Sequence, residues 1–343
     1  MEVRPTPRQM AKGLLNGVTT PRPLFLPILF SLGARVENTA LGTFLGSPTK
    51  ISNSLRQMHN QLRTDAVCCY FDPYLEAEAL GATVERAADH QPSIIRWPRP
   101  AKSGELPGGL RSAEEAVQGG RIPVAVEVIR RMSSLPNREF LLMARVTGPI
   151  TLAALLAQIE QKQNFRAEDI TVEAQELSAS VVTQVATTML EAGADLIVIQ
   201  EERLPVFSAE SCEAWANLLA PTINVIRFYE ALPVLQLANA IMVYENWNLI
   251  LRQSWDCVVC MPMEIVASRK HEESLKGNDV KLGIALPRNA FRSGGVGPED
   301  LLETLRSMVS GLQPAVIMTA SDIPHTTDMK CLIRVLSEVP RAF

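Results

Sequence analysis

The chain has 343 residues, 47% of them hydrophobic and 20% charged, with a formal net charge of −4. That supply suffices for a large core, and the slight acidic balance excludes the basic face by which nucleic acid or an anionic membrane is gripped. No apolar stretch approaches the roughly 18 residues of a membrane span, and residues 1–22 lack the apolar segment and cleavage site of a secretory leader, so a cytoplasmic location is expected.

Eight short apolar runs follow in chain order: PLFLPIL (23–29), AVCCYF (66–71), FLLMARV (140–146), DLIVIQ (195–200), LPVLQL (232–237), DCVVCM (256–261), KLGIAL (281–286) and AVIMTA (315–320). They are rich in Val, Ile, Leu and Cys, as parallel strands buried on both faces are. Between them lie segments of helical period. In 170–193, Val181, Val182, Val185 and Met189 fall on one stripe and Gly193 reads as the C-cap. In 297–312 a proline and two acids open the helix and Gly311 lies near its end. Eight strands spread over the whole length, each with a helix nearby, predict an α/β fold: a single (β/α)8 TIM barrel over residues 1–343.

Two insertions interrupt the rhythm. Residues 86–122, rich in Pro, Gly and charge, read as a surface excursion or lid; residues 262–280 read as a helix plus loop. The six cysteines are irregularly spaced, and the lone CxxC of Cys257 and Cys260 sits in an apolar run, so it reads as buried packing rather than a redox or metal pair.

Four segments, in this order, resemble the uroporphyrinogen decarboxylase superfamily. They are LRTDAVCCYFDPYLEAEALGATVE (62–85), RVTGPITLAALLA (145–157), AGADLIVIQEERLPVFS (192–208), and the last two strands with their polar ends, KLGIALPRNAF (281–291) and VIMTASDIPHTTD (316–328). The resemblance spans about residues 8–340 and implies a barrel enzyme. The family's decarboxylases carry two arginines in a loop that matches LFSLGARVE (29–37), where only Arg35 remains; a tyrosine is replaced by Leu155 and a histidine by Ser321. A substrate with eight carboxylates needs several fixed cations, so uroporphyrinogen is not the expected substrate. The sister branch, cobalamin-dependent methyltransferases, holds zinc through a His-x-Cys and a later Cys. Gln236, Ala238 and Ser321 stand at those places here, so no metal is expected.

Strand ends are where such a barrel does its chemistry. Asp72, Glu201 and Glu202 are the candidate catalytic groups: two carboxylates converging on an apolar pocket separate their pKa values, and one becomes a proton donor near neutral pH. Arg35, Asn239, Arg288, Asn289, Ser321 and His325 are candidate substrate contacts, with a loop, cap or surface role as the alternative for each; Arg35 is expected near Asp72. The resemblance and the departures together imply a methyltransferase-like enzyme that demethylates a small ether or amine. The methyl group passes to a corrinoid held by a partner protein, because this chain has no corrinoid-binding segment and is expected to bind no cofactor tightly itself. Decarboxylation of a porphyrinogen-like or smaller acid is the alternative reaction, and a non-catalytic binding subunit the alternative class. A homodimer stays open.

Overall fold

The computed structural model describes residues 5–86, 93–99, 105–159, 165–269, 280–291 and 298–342. Eight strands form one parallel sheet: β1 Leu24–Leu26, β2 Ala66–Tyr70, β3 Leu141–Thr147, β4 Leu196–Glu201, β5 Leu232–Leu237, β6 Val258–Pro262, β7 Lys281–Leu286 and β8 Val316–Thr319. Each is followed by a helix: α1 Pro48–Leu62, α2 Ile122–Ser133, α3 Val172–Glu191, α4 Ala209–Phe228, α5 Ala240–Arg252, α6 Met263–Arg269, α7 Pro298–Leu312 and α8 Met329–Glu338. Ladders run from β2 through β3 to β8 in sequence order and then from β8 to β1. This is the expected (β/α)8 barrel, nearly closed.

The seam lies between β1 and β2, which share no ladder among the described residues. A side chain spans it. Asp65, just before β2, accepts from Phe25 N at 2.8 Å and from the forked guanidinium of Arg22 at 2.6 and 2.8 Å. β1 is shorter than its apolar run because Pro27 has no N–H to give, and the Ile28 N–H goes to Thr319 Oγ1 at 2.9 Å.

The helices follow their sequence signals. Thr171 caps α3, its hydroxyl accepting from Ala174 N at 3.3 Å, and Val181, Val182, Val185 and Met189 are buried against the sheet. Each such aliphatic contributes roughly 1.5–3 kcal/mol before the cost of ordering the chain. Gly193 turns left-handed with φ +106°, and a Cβ there would stand 2.7 Å from Ser133 Cβ, so both space and backbone require glycine. At the end of α7 Gly311 lies in the last turn, as expected, and Gln313 takes the left-handed position at φ +47°.

The excursion begins with a buried group, Arg86, whose side chain is 6% exposed. Thr83–Glu85 and Ser93–Arg96 pair as an antiparallel hairpin, Trp97 is buried, and a short helix, Ala113–Ala116, precedes α2. Residues 87–92 and 100–104 of the expected lid lie outside the described residues, as do 270–279 after α6. Cys257 and Cys260 are buried free thiols, and burial pushes the Cys257 thiol up to about 12 and that of Cys260 higher still, which suits packing rather than thiolate chemistry. No helix among the described residues is long and apolar enough to cross a membrane.

Candidate functional site

The strand ends enclose a cavity of about 640 Å³ lined by Glu202, Arg203, Ala238, Asn239, Glu264, Arg288, Ala320 and Ser321. Two amides cross the barrel interior. Gln200 and Gln236 are register partners on β4 and β5, both fully buried. Gln200 Nε2 donates to Ala320 O at 3.3 Å and to Glu202 Oε1 at 3.2 Å, and Gln236 Nε2 donates to Thr319 O at 2.8 Å. Gln236 Oε1 has no hydrogen-bond partner among the described residues.

Gln200 is tied in turn to a buried cation that sequence reasoning passed over. Arg145 on β3 is 2% exposed and donates from Nε to Gln200 Oε1 at 2.8 Å, and from Nη1 to Thr147 Oγ1 at 2.9 Å and to the Asp72 carbonyl at 3.1 Å. Its guanidinium lies 5.3 Å from the centre of the Phe71 ring. The compensating anion is Glu76, fully buried, 4.0 Å from Arg145 Nη1 and accepting from Thr147 N at 3.0 Å and Thr147 Oγ1 at 2.6 Å. The available signal was a lone arginine in an otherwise apolar parallel strand, since arginine is almost never fully buried unless paired.

Asp72 is 3% exposed, but its partner is not Arg35. Arg86 Nε donates to Asp72 Oδ2 at 2.8 Å, Tyr74 N donates to Oδ1 at 2.9 Å, and Arg121 Nη1 stands 4.0 Å away. The same Arg86 guanidinium grips both oxygens of Glu78 at 3.0 and 3.1 Å. Asp72 therefore accepts from a cation and a backbone N–H within an ion cluster, while its carbonyl fixes Arg145. Arg35 is exposed and reaches the Thr327 carbonyl at 3.0 Å, joining the first loop to the last.

The adjacent acids after β4 part company. Glu202 is half-buried and lines the cavity. Glu201, expected as a candidate catalytic group at the mouth, is not there. Strand parity turns it to the opposite side, where it accepts from Ile150 N at 3.1 Å, Thr151 N at 2.8 Å, Thr151 Oγ1 at 2.5 Å and Trp215 Nε1 at 3.1 Å. These donors include the first turn of the buried helix Pro149–Leu156, so Glu201 satisfies an otherwise orphaned helix start. Burial raises its pKa to about 7 against the pull of those hydrogen bonds. Gly148 is required beside it: an added Cβ would lie 2.1 Å from Glu201 Cδ.

On the far rim, Arg288 Nη2 donates to Ser321 Oγ, and both side chains line the cavity. Asn239 lines it too, but its Oδ1 caps α5 by accepting from Met242 N at 3.2 Å. Asn289 is exposed and His325 half-buried on the loop after β8. Asp322, next to Ser321, holds both carboxylate oxygens 3.2 Å from Ser31 N. Burial raises its pKa to about 7, opposed by Ser31, Phe30 and the charge of Arg288. The structure thus brings Glu202, Asn239, Arg288 and Ser321 together at one cavity, and leaves Asp72, Glu201 and Arg35 in supporting contacts.

The zinc positions do not fit the ion. Gln236 is committed to Thr319 O, Ala238 offers no donor atom, and Ser321 is held by a guanidinium, which repels a cation. Among the described residues no three His, Cys, Asp or Glu side chains converge.

Residues 6–262 match the family described as uroporphyrinogen decarboxylase (URO-D). Two curated relatives, both methylcobamide:CoM methyltransferase MtaA from Methanosarcina barkeri (one from strain Fusaro / DSM 804), are 29% and 28% identical over 127 residues. That match covers 36% of this chain and 36% of the length of each relative. A solved structure, a methyltransferase from Methanosarcina mazei, superimposes with a TM-score of 0.77 at 17% identity, over 98% of this chain and 99% of that one; this likeness is one of fold.

Proposed function

The chain belongs to the uroporphyrinogen decarboxylase family, and from that premise we propose that it is a methyltransferase-like enzyme, removing a methyl group from a small ether or amine. The methyl acceptor is a corrinoid brought by a partner protein, which supplies the reduced metal that takes the methyl group. The partial match to methyltransferases supports the direction of this reading. The observation that carries it is the set of side chains at the strand ends where ligands would activate a thiol: Gln236, bonded to a carbonyl, Ala238, and Ser321, bonded to a guanidinium.

The chain's own work is then to seat the donor and to manage one proton. An ether oxygen must gain a proton as its methyl group leaves, whereas an ammonium nitrogen departs as a neutral amine and needs none. Asp322, which follows the cavity-lining Ser321 in the chain and whose pKa burial raises to about 7, is the candidate acid for the first case. Glu202, which lines the cavity, is the acceptor for the second. The test is to mix purified protein, reduced free cobalamin and a panel of methyl ethers and methylamines, and follow methylcobalamin by absorbance. Protein-dependent formation with one class supports the reading; none with any donor, alongside decarboxylation of a porphyrinogen, refutes it.

A further inference from the structure

The cavity is lined by charges of both signs, Glu202, Arg203, Glu264 and Arg288, and they are not held alike. Glu264 is exposed, and neither its side chain nor that of Arg203 makes a hydrogen bond or ion pair among the described residues. Arg288 bonds the Ser321 hydroxyl. Glu202 is reached by two chains of buried groups, one at its carboxylate and one at its backbone.

The carboxylate end is held through Gln200. Arg145 Nε donates to Gln200 Oε1 at 2.8 Å, and a guanidinium can only donate, so the amide orientation is fixed and Nε2 faces the other way. Nε2 donates to Glu202 Oε1 at 3.2 Å and to the Ala320 carbonyl at 3.3 Å. Gln200 is fully buried and does not line the cavity, so whatever it does for a ligand it does through Glu202. Glutamine suits the place because Arg145 calls for an acceptor and Glu202 for a donor; a carboxylate would supply only the first.

The backbone end is held through Thr151, which is buried. Its hydroxyl oxygen accepts from Glu202 N and Arg203 N, each at 3.0 Å, and gives its proton to Glu201 Oε2 at 2.5 Å. Both acceptor sites and the single proton are thereby committed, which fixes the turn after β4. The two chains start from buried charges on different strands, Arg145 on β3 and Glu201 on β4, and they meet at Glu202.

We propose that Gln200 and Thr151 are positioning residues that preset Glu202 as the carboxylate receiving an ammonium methyl donor. Oε1 is occupied by the amide, and Oε2, to which no described group donates, is the oxygen left for the ligand. The role in transfer rests on the methyl-transfer reading with an ammonium donor. The positioning is read without any donor, so the two can fail separately.

The test is NMR on the full chain, isotopically labelled in the glutamine side-chain amides and the glutamate methylenes. Glu202→Ala is expected to shift the Gln200 Nε2 signal and to speed its hydrogen exchange about tenfold, the range of one lost hydrogen bond. Gln200→Met and Thr151→Val should each turn the Glu202 methylenes from ordered to mobile, and Thr151→Ser, which keeps the hydroxyl, should leave them ordered. A Gln200 signal indifferent to Glu202→Ala, or Glu202 as mobile in the unaltered protein as in Gln200→Met, overturns the proposal. Glu202→Ala trims a half-buried side chain, so its comparison with the unaltered protein stands even where a buried variant fails to fold. With an N-methyl donor that is turned over, Gln200→Met should lower kcat/KM about ten- to hundredfold and have no further effect on top of Glu202→Ala. Additive losses would make its role structural and overturn the proposal. Absence of turnover would count against the methyl-transfer reading, while the NMR comparison still decides the positioning.

Discussion

Arg86 and Asp72 are joined 14 residues apart through a 2.8 Å hydrogen bond from Nε to Oδ2, and the same guanidinium clasps Glu78. The contact anchors the start of the 86–122 excursion to the end of β2 and, through the Asp72 carbonyl, to Arg145. Arg86→Met leaves two acids without their cation, one of them fully enclosed, and should cost about 3–5 kcal/mol. Asp72→Asn and Arg86→Met together should cost clearly less than the sum of the two alone, because the pair is one interaction. Urea unfolding of the four proteins in this cycle is the measurement, and simple additivity would contradict the pairing.

Glu201 gives the protein a pH dependence of definite sign. Its folded pKa of about 7 lies above its ordinary value of 4.5, so the folded state holds a proton that the unfolded chain has released. The resulting stability is full below about pH 4.5 and is lost as pH rises through about 7, an effect of order 3 kcal/mol. Glu201→Gln should flatten that part of the curve. An unchanged slope between pH 5 and 7, the pH range of this titration, would show that Glu201 is not enclosed as described.

Gly283 and Cys260 test whether the CxxC cysteine is packing. A Cβ at Gly283 would stand 2.2 Å from Cys260 Sγ. Gly283→Ala should destabilise by about 1–3 kcal/mol through overpacking, and Cys260→Ala in the same chain should restore most of it by removing the sulfur. Thermal melts of the single and double variants decide this; no recovery would mean that the backbone, not the thiol, sets the limit.

The metal-ligand positions make a separate prediction. With Gln236 bonded to a carbonyl and Ser321 to a guanidinium, chelation should change neither melting temperature nor ligand binding, and the purified protein should carry no stoichiometric zinc. Tightly retained zinc, with a melting temperature that falls on its removal, would overturn this.

The barrel was legible because strands buried on both faces are apolar throughout, and all eight runs became its strands. β1 fell short at Pro27, where a missing N–H ended the ladder. The site was harder to read. Glu201 and Glu202 are adjacent and chemically alike, and only strand parity separates a helix-start acceptor from a cavity wall. Arg145 and Glu76 neutralise each other from β3 and from the segment after β2, a partnership that no local pattern carries. Gln236 was conspicuous as the replacement for a ligand, but its spare oxygen exists only because Thr319 occupies the other end of the amide. Asn239 and Arg288 did reach the cavity, one of them as a helix cap as well.

The most direct measurement supplies an N-methyl donor labelled at the methyl carbon to purified protein with reduced cobalamin, and traces the label by NMR. The prediction is that the label appears on cobalt in step with the demethylated amine. Label that stays on the donor, while a carboxylic acid offered in its place releases carbon dioxide, would contradict the account.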